Sequence, residues 1–398
     1  MSYMYALINK QTLKHIIDRK NIDNNYITKK YNFNPLRFEK WLDPDSSVYP
    51  TIRQAKKISS LLHIPFAALY MDSADIKVPP LPNVKNRRIY NVNSILDNNS
   101  LNIAVIDLLY ERDFLLNADK SIKSNYPFFE PDVPLDNDIK MWAASIRSFF
   151  NLKIEDQFNF NSSRKFYLHL RNKIENKGVL IQGFRDVPLD NTRGLSIYNK
   201  KIPIIGINEY DRYPAKSFTI IHELVHLYKH ESSVCNSFID DNGSQNEEIF
   251  CNAVAGELLV PEQYLKKYIK YKDFHDYYNY NNILDIANHF SVSKEVVIRR
   301  LLFIHEIDIN EYKYLKNELA LFYEKEKEEN IISSKQGVKK YRRNIARETL
   351  DNTSSNICKL LYKGLQNDIY SKVDIASYLG VSQKNVEAIL KEVSKWNN

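Results

Sequence analysis

Cysteine is nearly absent: Cys235, Cys251 and Cys358 are the only three in 398 residues. An odd count with no CxxC pair excludes a disulfide framework and suits a reducing compartment. No apolar run approaches the roughly 18 residues that a membrane span needs. The first residues, MSYMYALINKQTLKH, lack a basic n-region, an apolar h-region and a small-residue cleavage site, so no secretory leader is expected. The chain is therefore expected in the cytoplasm, with no membrane partner. Glycine is also scarce, at 9 residues, while Asn, Lys, Ile and Tyr abound. That bias reads as an AT-rich coding sequence and carries no function.

What is there suffices for packed domains. Hydrophobic residues make up 43% and charged residues 26% of the chain, which excludes a disordered protein. The length predicts two or three domains. Lys and Arg exceed Asp and Glu by 56 − 49 = 7, a surplus that permits contact with nucleic acid without requiring it.

Apolar spacing divides the chain. Leu13, Ile16 and Ile17, then Ile52, Ala55, Ile58 and Leu62, follow helical periods, so residues 1–78 read as a bundle of short helices. Val78-Pro79-Pro80-Leu81-Pro82 forbids helix and reads as an extended linker. From about 100 to 180 the pattern is largely helical, as in IAVIDLLYERDFLL and MWAASIRSFFNL. GVLIQGF and KIPIIGIN are short β-branched runs bounded by Gly, Asn and Pro, and are expected as strands. SFTIIHELVHLYKH and EEIFCNAVAGELLVP return to helix, the second stopped by Pro261. From about 276 the chain reads as helical, with a break near 333–337. EKEKEEN at 324–330 reads as a solvated helix face.

Residues 222–226, HELVH, have the form HExxH. On a helix, His222 and His226 lie one turn apart on one face, so two imidazoles can converge on one ion. Glu223 lies about 100° around the helix axis and reaches water at the ion rather than the ion itself. Ile220, Ile221, Leu224, Val225 and Leu227 flank the motif. Burying two imidazoles and a carboxylate there without a partner would cost several kcal/mol, which a metal resolves. The alternative is two core histidines satisfied by hydrogen bonds.

A third ligand is needed. The metzincin position is Ser232, with no glycine at the bend, and His230 lies too far along a straight helix. The second helix offers Glu248, with Asn252 one turn on as an amide able to orient a ligand imidazole. Glu247 is a neighbouring candidate that periodicity does not exclude, and acidic residues favour helix starts for dipole reasons alone.

FTIIHELVHLYKH followed by EEIFCNAVAGELLVP resembles the ImmA/IrrE family of zinc metallo-endopeptidases, which shows an HExxH helix and then an E-x-x-A-N…LL-x-P helix. Cys251 stands where the family usually has Ala. RNKIENKGVLI, the RGLS segment and IANHFSVSKEVVIRRL extend the likeness. It is strong over 193–302 and weak before 165 and after 310. The resemblance selects Glu248 over Glu247 and implies one Zn2+ per chain held by His222, His226 and Glu248. It also implies an α+β, predominantly helical fold: a compact gluzincin-like metallopeptidase core with a small β-sheet at 79–275, flanked by helical domains at 1–78 and 276–398. In characterised relatives the substrate is a helix-turn-helix repressor.

Glu223 is then the general base. Tyr228, Tyr210 and Tyr213 are nearby candidates for an oxyanion donor. The strand at 202–208 is a candidate edge for aligning an extended substrate, or else an ordinary core strand.

Residues 8–72 resemble the helix-turn-helix of XRE-type regulators. In that likeness residues 35–41 form the helix presented to the major groove, with Lys29, Lys30, Arg37 and Lys40 near phosphates. A unit that binds a protein partner, or only packs on the peptidase, is the alternative. IANHFSVSKEVV at 286 and IASYLGVSQKNV at 375 repeat a helix–turn–helix theme. Three functions follow: an endopeptidase acting on a repressor, a DNA-binding regulator using a peptidase-like module as sensor, and one half of a toxin–antitoxin pair.

Overall fold

The computed structural model describes residues 4–76, 81, 85–86, 95–118, 120–121, 127–230, 233–235, 246–274, 279–335 and 343–396. The proline-rich stretch expected as a linker lies, Leu81 apart, outside these residues.

The chain opens with α1 (Lys10–Arg19), α2 (Asn24–Tyr31), α3 (Pro35–Leu42) and α4 (Ile52–Leu61). Local chemistry starts each one. Asn9, Asp23 and Asn34 accept from backbone N–H groups of the first turns, and Thr51 with Gln54 forms a capping box. Lys10 donates to the carbonyls of Lys40, at 3.0 Å, and of Asp43, at 3.1 Å, closing the end of α3. Leu13, Ile16, Ile27, Phe38, Trp41 and Ile58 fill the small core between these helices.

After β1 (Lys85–Asn86) comes α5 (Ile95–Asn117), a long helix that ties two cores together. Its Ile103 and Ile106 enter the core of α1–α4, while Ala104, Val105 and Leu108 turn the other way, onto the sheet. Next come α6 (Ile139–Phe150), α7 (Ile154–Phe158) and α8 (Ser163–Glu175). Then follow β2 (Leu180–Phe184), β3 (Gly194–Ile197), β4 (Ile204–Asn208), α9 (Tyr213–Tyr228) and β5 (Ser233–Cys235). The strands form one sheet in the order β1-β5-β3-β4-β2. β3 runs antiparallel to both neighbours, whereas β2 with β4 and β1 with β5 are parallel.

Alternation of side chains makes the sheet two-faced. Ile181, Ile205 and Ile207 face the largest core, shared with α6, α8, α9 and the helices that follow. Leu180, Leu195, Ile197 and Ile204 face the opposite core. One expectation is overturned here. β4 is not an edge: β3 and β2 flank it, and its residues are buried throughout. Its run of isoleucines fills both faces of a central strand, so it cannot align a substrate.

The remaining helices are α10 (Asn246–Leu259), α11 (Glu262–Lys272), α12 (Tyr280–His289), α13 (Lys294–Phe303) and α14 (Ile309–Lys335), then α15 (Ile345–Asn352), α16 (Ser355–Gln366), α17 (Lys372–Tyr378) and α18 (Gln383–Ser394). α14 runs through Ser333 to Lys335, where a break was expected, and the rest of that stretch, 336–337, lies outside the described residues. The two helix–turn–helix repeats sit differently. In α12–α13, Ile283, Ile286, Phe290, Val297, Ile298 and Leu301 belong to the main core. In α17–α18, Ile375, Val386 and Leu390 join α16 and α5 over the far face of the sheet. Among the described residues no helix is long and apolar enough to cross a membrane.

Candidate metal centre

α9 and α10 pack side by side, and their facing residues make the site. α9 starts at Tyr213-Pro214, where proline suits a first turn, and every residue from Thr219 to Tyr228 is buried. Apolar residues surround the motif, so its three polar side chains are carried inside with it. Side chains anchor the far end of α10. Arg147 Nε donates to the Leu258 carbonyl, Gln157 Nε2 to Leu259 and Arg300 Nε to Val260, each at 2.9 Å. These donors satisfy carbonyls that a helix end leaves without partners, and they fix the helix that carries Glu248.

At the other end of α10, Glu248 points at the histidine pair. Its Oε2 lies 3.2 Å from His222 Nε2 and its Oε1 lies 3.3 Å from His226 Nε2. The two Nε2 atoms are themselves 3.2 Å apart. All three residues are buried, and their ligand atoms fall within 4.8 Å of one another. Glu247, the neighbouring candidate, faces outward, 3.9 Å from Lys229 Nζ. His230 lies in the turn after α9, its ring 4.7 Å from Tyr198. Ser232 is outside the described residues.

The outer contacts fit a divalent cation. Asn252 Oδ1 lies 3.1 Å from His222 Nδ1, and Cys251 Sγ lies 3.8 Å from His226 Nδ1. Both imidazoles thus have their Nδ1 engaged and turn Nε2 inward. Two facing Nε2 lone pairs and a carboxylate repel one another unless positive charge stands between them. The titration directions point to a demand for positive charge at the same place. Burial raises the Glu248 carboxyl, but His222 and His226 outweigh it and hold the group well below the usual range. Burial lowers the His226 imidazole, but Cys251 and Glu248 outweigh it and push it up to about 9. Two nitrogens and one carboxylate make a donor set that could hold a divalent metal ion.

Glu223 sits beside the group, 0% exposed. Burial pushes its carboxyl upward, against the pull of His222, His226 and the hydroxyls of Ser233 and Ser196. A carboxylate tuned upward is what a proton acceptor working near neutrality requires. Ser233 Oγ donates to Glu223 Oε2 at 2.8 Å, while Oε1 is buried without a protein hydrogen bond. Gly194 lets β3 lie against α9 here. A Cβ at that position would come within 2.2 Å of Thr219 Cγ2 and 3.4 Å of Glu223 Cγ.

The tyrosines considered as oxyanion donors are otherwise placed. Tyr213 Oη donates to Asp351 at 2.6 Å. Tyr228 is turned into the aromatic core of Phe129, Phe149 and Phe150. Tyr210 is exposed. Sequence reasoning missed Gly194, Ser196 and Ser233. The period of two through RGLS could have put Gly194 and Ser196 on one face, but nothing in the spacing marks Ser233.

The basic residues weighed for DNA, Lys29, Lys30, Arg37 and Lys40, are all exposed. Lys30 Nζ also lies 3.0 Å from Asp186, in the loop after β2, and 3.4 Å from Tyr26 Oη.

No curated protein and no solved structure matches the chain. Residues 175–302 match the family model of the IrrE N-terminal-like domain, Peptidase_M78. The matched segment, about a third of the chain, runs from the end of α8 to α13 and carries His222, Glu223, His226 and Glu248, and it is similar to the IrrE N-terminal-like domain.

Proposed function

We propose that the chain is a zinc-dependent endopeptidase that cuts a helix-turn-helix repressor and so relieves repression. The observation that carries this reading is the convergence of His222, His226 and Glu248 on one buried point, with Glu223 beside it. His222 and His226 would hold the ion through Nε2 and Glu248 through its carboxylate. Zinc in that position supplies Lewis acidity to the attacking water and to the scissile carbonyl. Glu223 Oε1 takes a proton from the water as its oxygen bonds the carbonyl carbon. The carboxylic acid then gives that proton to the amide nitrogen as the C–N bond breaks, which restores the carboxylate. The buried surroundings keep bulk water from competing for that proton.

The repressor as substrate rests on likeness to relatives that cut such proteins. A regulator using the domain only to sense or to bind protein has no chemical need for Glu223. The discriminating experiment co-expresses the chain with a helix-turn-helix repressor from its own genome. The native chain, carrying about one zinc, is expected to process it, and Glu223→Gln is expected to leave it intact. Processing that persists in Glu223→Gln would rule out the catalytic assignment.

A further inference from the structure

Glu223 is held from the side of the sheet. Ser196 on β3 and Ser233 on β5 are directly opposite in the antiparallel register, so their side chains share a face. Their hydroxyl oxygens are 2.8 Å apart, and Ser233 Oγ is 2.8 Å from Glu223 Oε2. Ser196 and Glu223 are 0% exposed and Ser233 is 2% exposed. A hydroxyl has one proton to give. Ser233 gives its proton to Glu223 Oε2, Ser196 is left as the donor in the Ser196–Ser233 contact, and the Ser196 hydroxyl also bears on the same carboxyl. Packing alone would favour alanine at both places, because a buried hydroxyl costs free energy unless it is bonded.

The torsion that turns a glutamate carboxylate is broad and two-fold, so a free carboxylate exchanges its oxygens. Anchoring Oε2 leaves Oε1 as the oxygen without a protein partner. We propose that Ser196 and Ser233 are positioning residues that fix the rotamer of Glu223 and present Oε1 to the reacting water. β5, which immediately follows the motif helix, is then the element that completes the proton acceptor. This inference rests on reading Glu223 as the general base.

The test uses the zinc-loaded full chain and acetohydroxamate, a bidentate zinc ligand whose N–O–H proton needs an acceptor carboxylate beside the metal. Binding is measured by calorimetry, and zinc affinity by competition with a chelating dye. Ser233→Ala is expected to weaken acetohydroxamate about tenfold, the loss of one hydrogen bond to a charged group. Zinc affinity should not change. Ser196→Ala should have a smaller effect, and Ser233→Thr, which keeps the hydroxyl, should restore binding. In a Glu223→Gln background, itself weakened, Ser233→Ala should add nothing. Unchanged or tighter acetohydroxamate binding in Ser233→Ala overturns the proposal, as does zinc loss in step with the weakening. A silent Ser233→Ala beside a weakened Glu223→Gln removes this inference alone. A silent Glu223→Gln removes the general-base reading and this inference with it.

Discussion

Asn252 Oδ1 stands 3.1 Å from His222 Nδ1, one turn along α10 from Glu248. The amide oxygen can only accept, so the His222 proton is held on Nδ1 and the lone pair of Nε2 faces Glu248. One helix face thus supplies a ligand and the residue that fixes the tautomer of another ligand on the neighbouring helix.

Removing that acceptor should loosen the metal without unfolding the chain. Asn252→Ala is expected to lower zinc affinity about 10–100-fold, the usual effect of deleting a partner of a metal-binding histidine. Asn252→Asp keeps an acceptor oxygen and should retain most of the affinity. Competition against a chelating dye reads both. Equal affinities for Asn252→Ala and the parent chain would show that His222 needs no such orientation.

Zinc should also be a stabilising ligand, because three buried groups that repel one another share it. At a free concentration of about 100 times its Kd, zinc bound only to the folded state adds about 2.7 kcal/mol. The parent chain should unfold at higher urea with zinc than after chelation with EDTA. Glu248→Ala should show no such difference. A zinc-dependent shift that survives in Glu248→Ala would mean that the ion binds elsewhere.

Gly194 is a steric prediction. Its missing Cβ lets β3 approach α9, and alanine there would meet Thr219 Cγ2 at 2.2 Å. Gly194→Ala should cost about 1–3 kcal/mol through overpacking and move Ser196 away from Glu223. Thr219→Ser removes the obstructing methyl, so the double variant should recover much of the loss in urea midpoint. Additive losses would place the strain somewhere other than this contact.

The motif helix and its partner were legible in the sequence because both are periodic. His222 and His226 repeat at four residues, as do Glu248 and Asn252, and one turn of helix converts each spacing into a shared face. The two strands read as β-branched runs, GVLIQGF and KIPIIGIN, also lie where they were expected. Strand order was not legible. The isoleucines of β4 fit an edge or a centre equally well, and its central place depends on pairing with β2 across the chain. Ser233 was invisible for a related reason. Its role comes from a register match with Ser196, and pairings between distant segments leave no period in the sequence. The Tyr213–Asp351 bond likewise joins residues far apart along the chain, so proximity in sequence misled the search for an oxyanion donor.

The seam between α4, α5 and α17 should respond to pH. Tyr378 Oη donates to Glu111, while His63, just past α4, lies 2.7 Å from Asp107 and stacks on Tyr110. Burial pushes the Glu111 carboxyl up from 4.5 to about 7, against the pull of Tyr378 and His63 and with a further push from Asp107. A raised carboxyl binds its proton more tightly when folded. Its contribution to stability is therefore complete below the unfolded value of 4.5 and is lost as pH climbs through about 7. The group keeps partial contact with solvent, so the loss should be on the order of 1–2 kcal/mol, less than the full shift implies. Glu111→Gln holds the neutral form at every pH. Urea midpoints at pH 5 and pH 8 should then fall more for the parent chain than for the variant. The variant should be the more stable of the two at pH 8. Parallel pH dependence in both chains would show that Glu111 ionises without cost inside this seam.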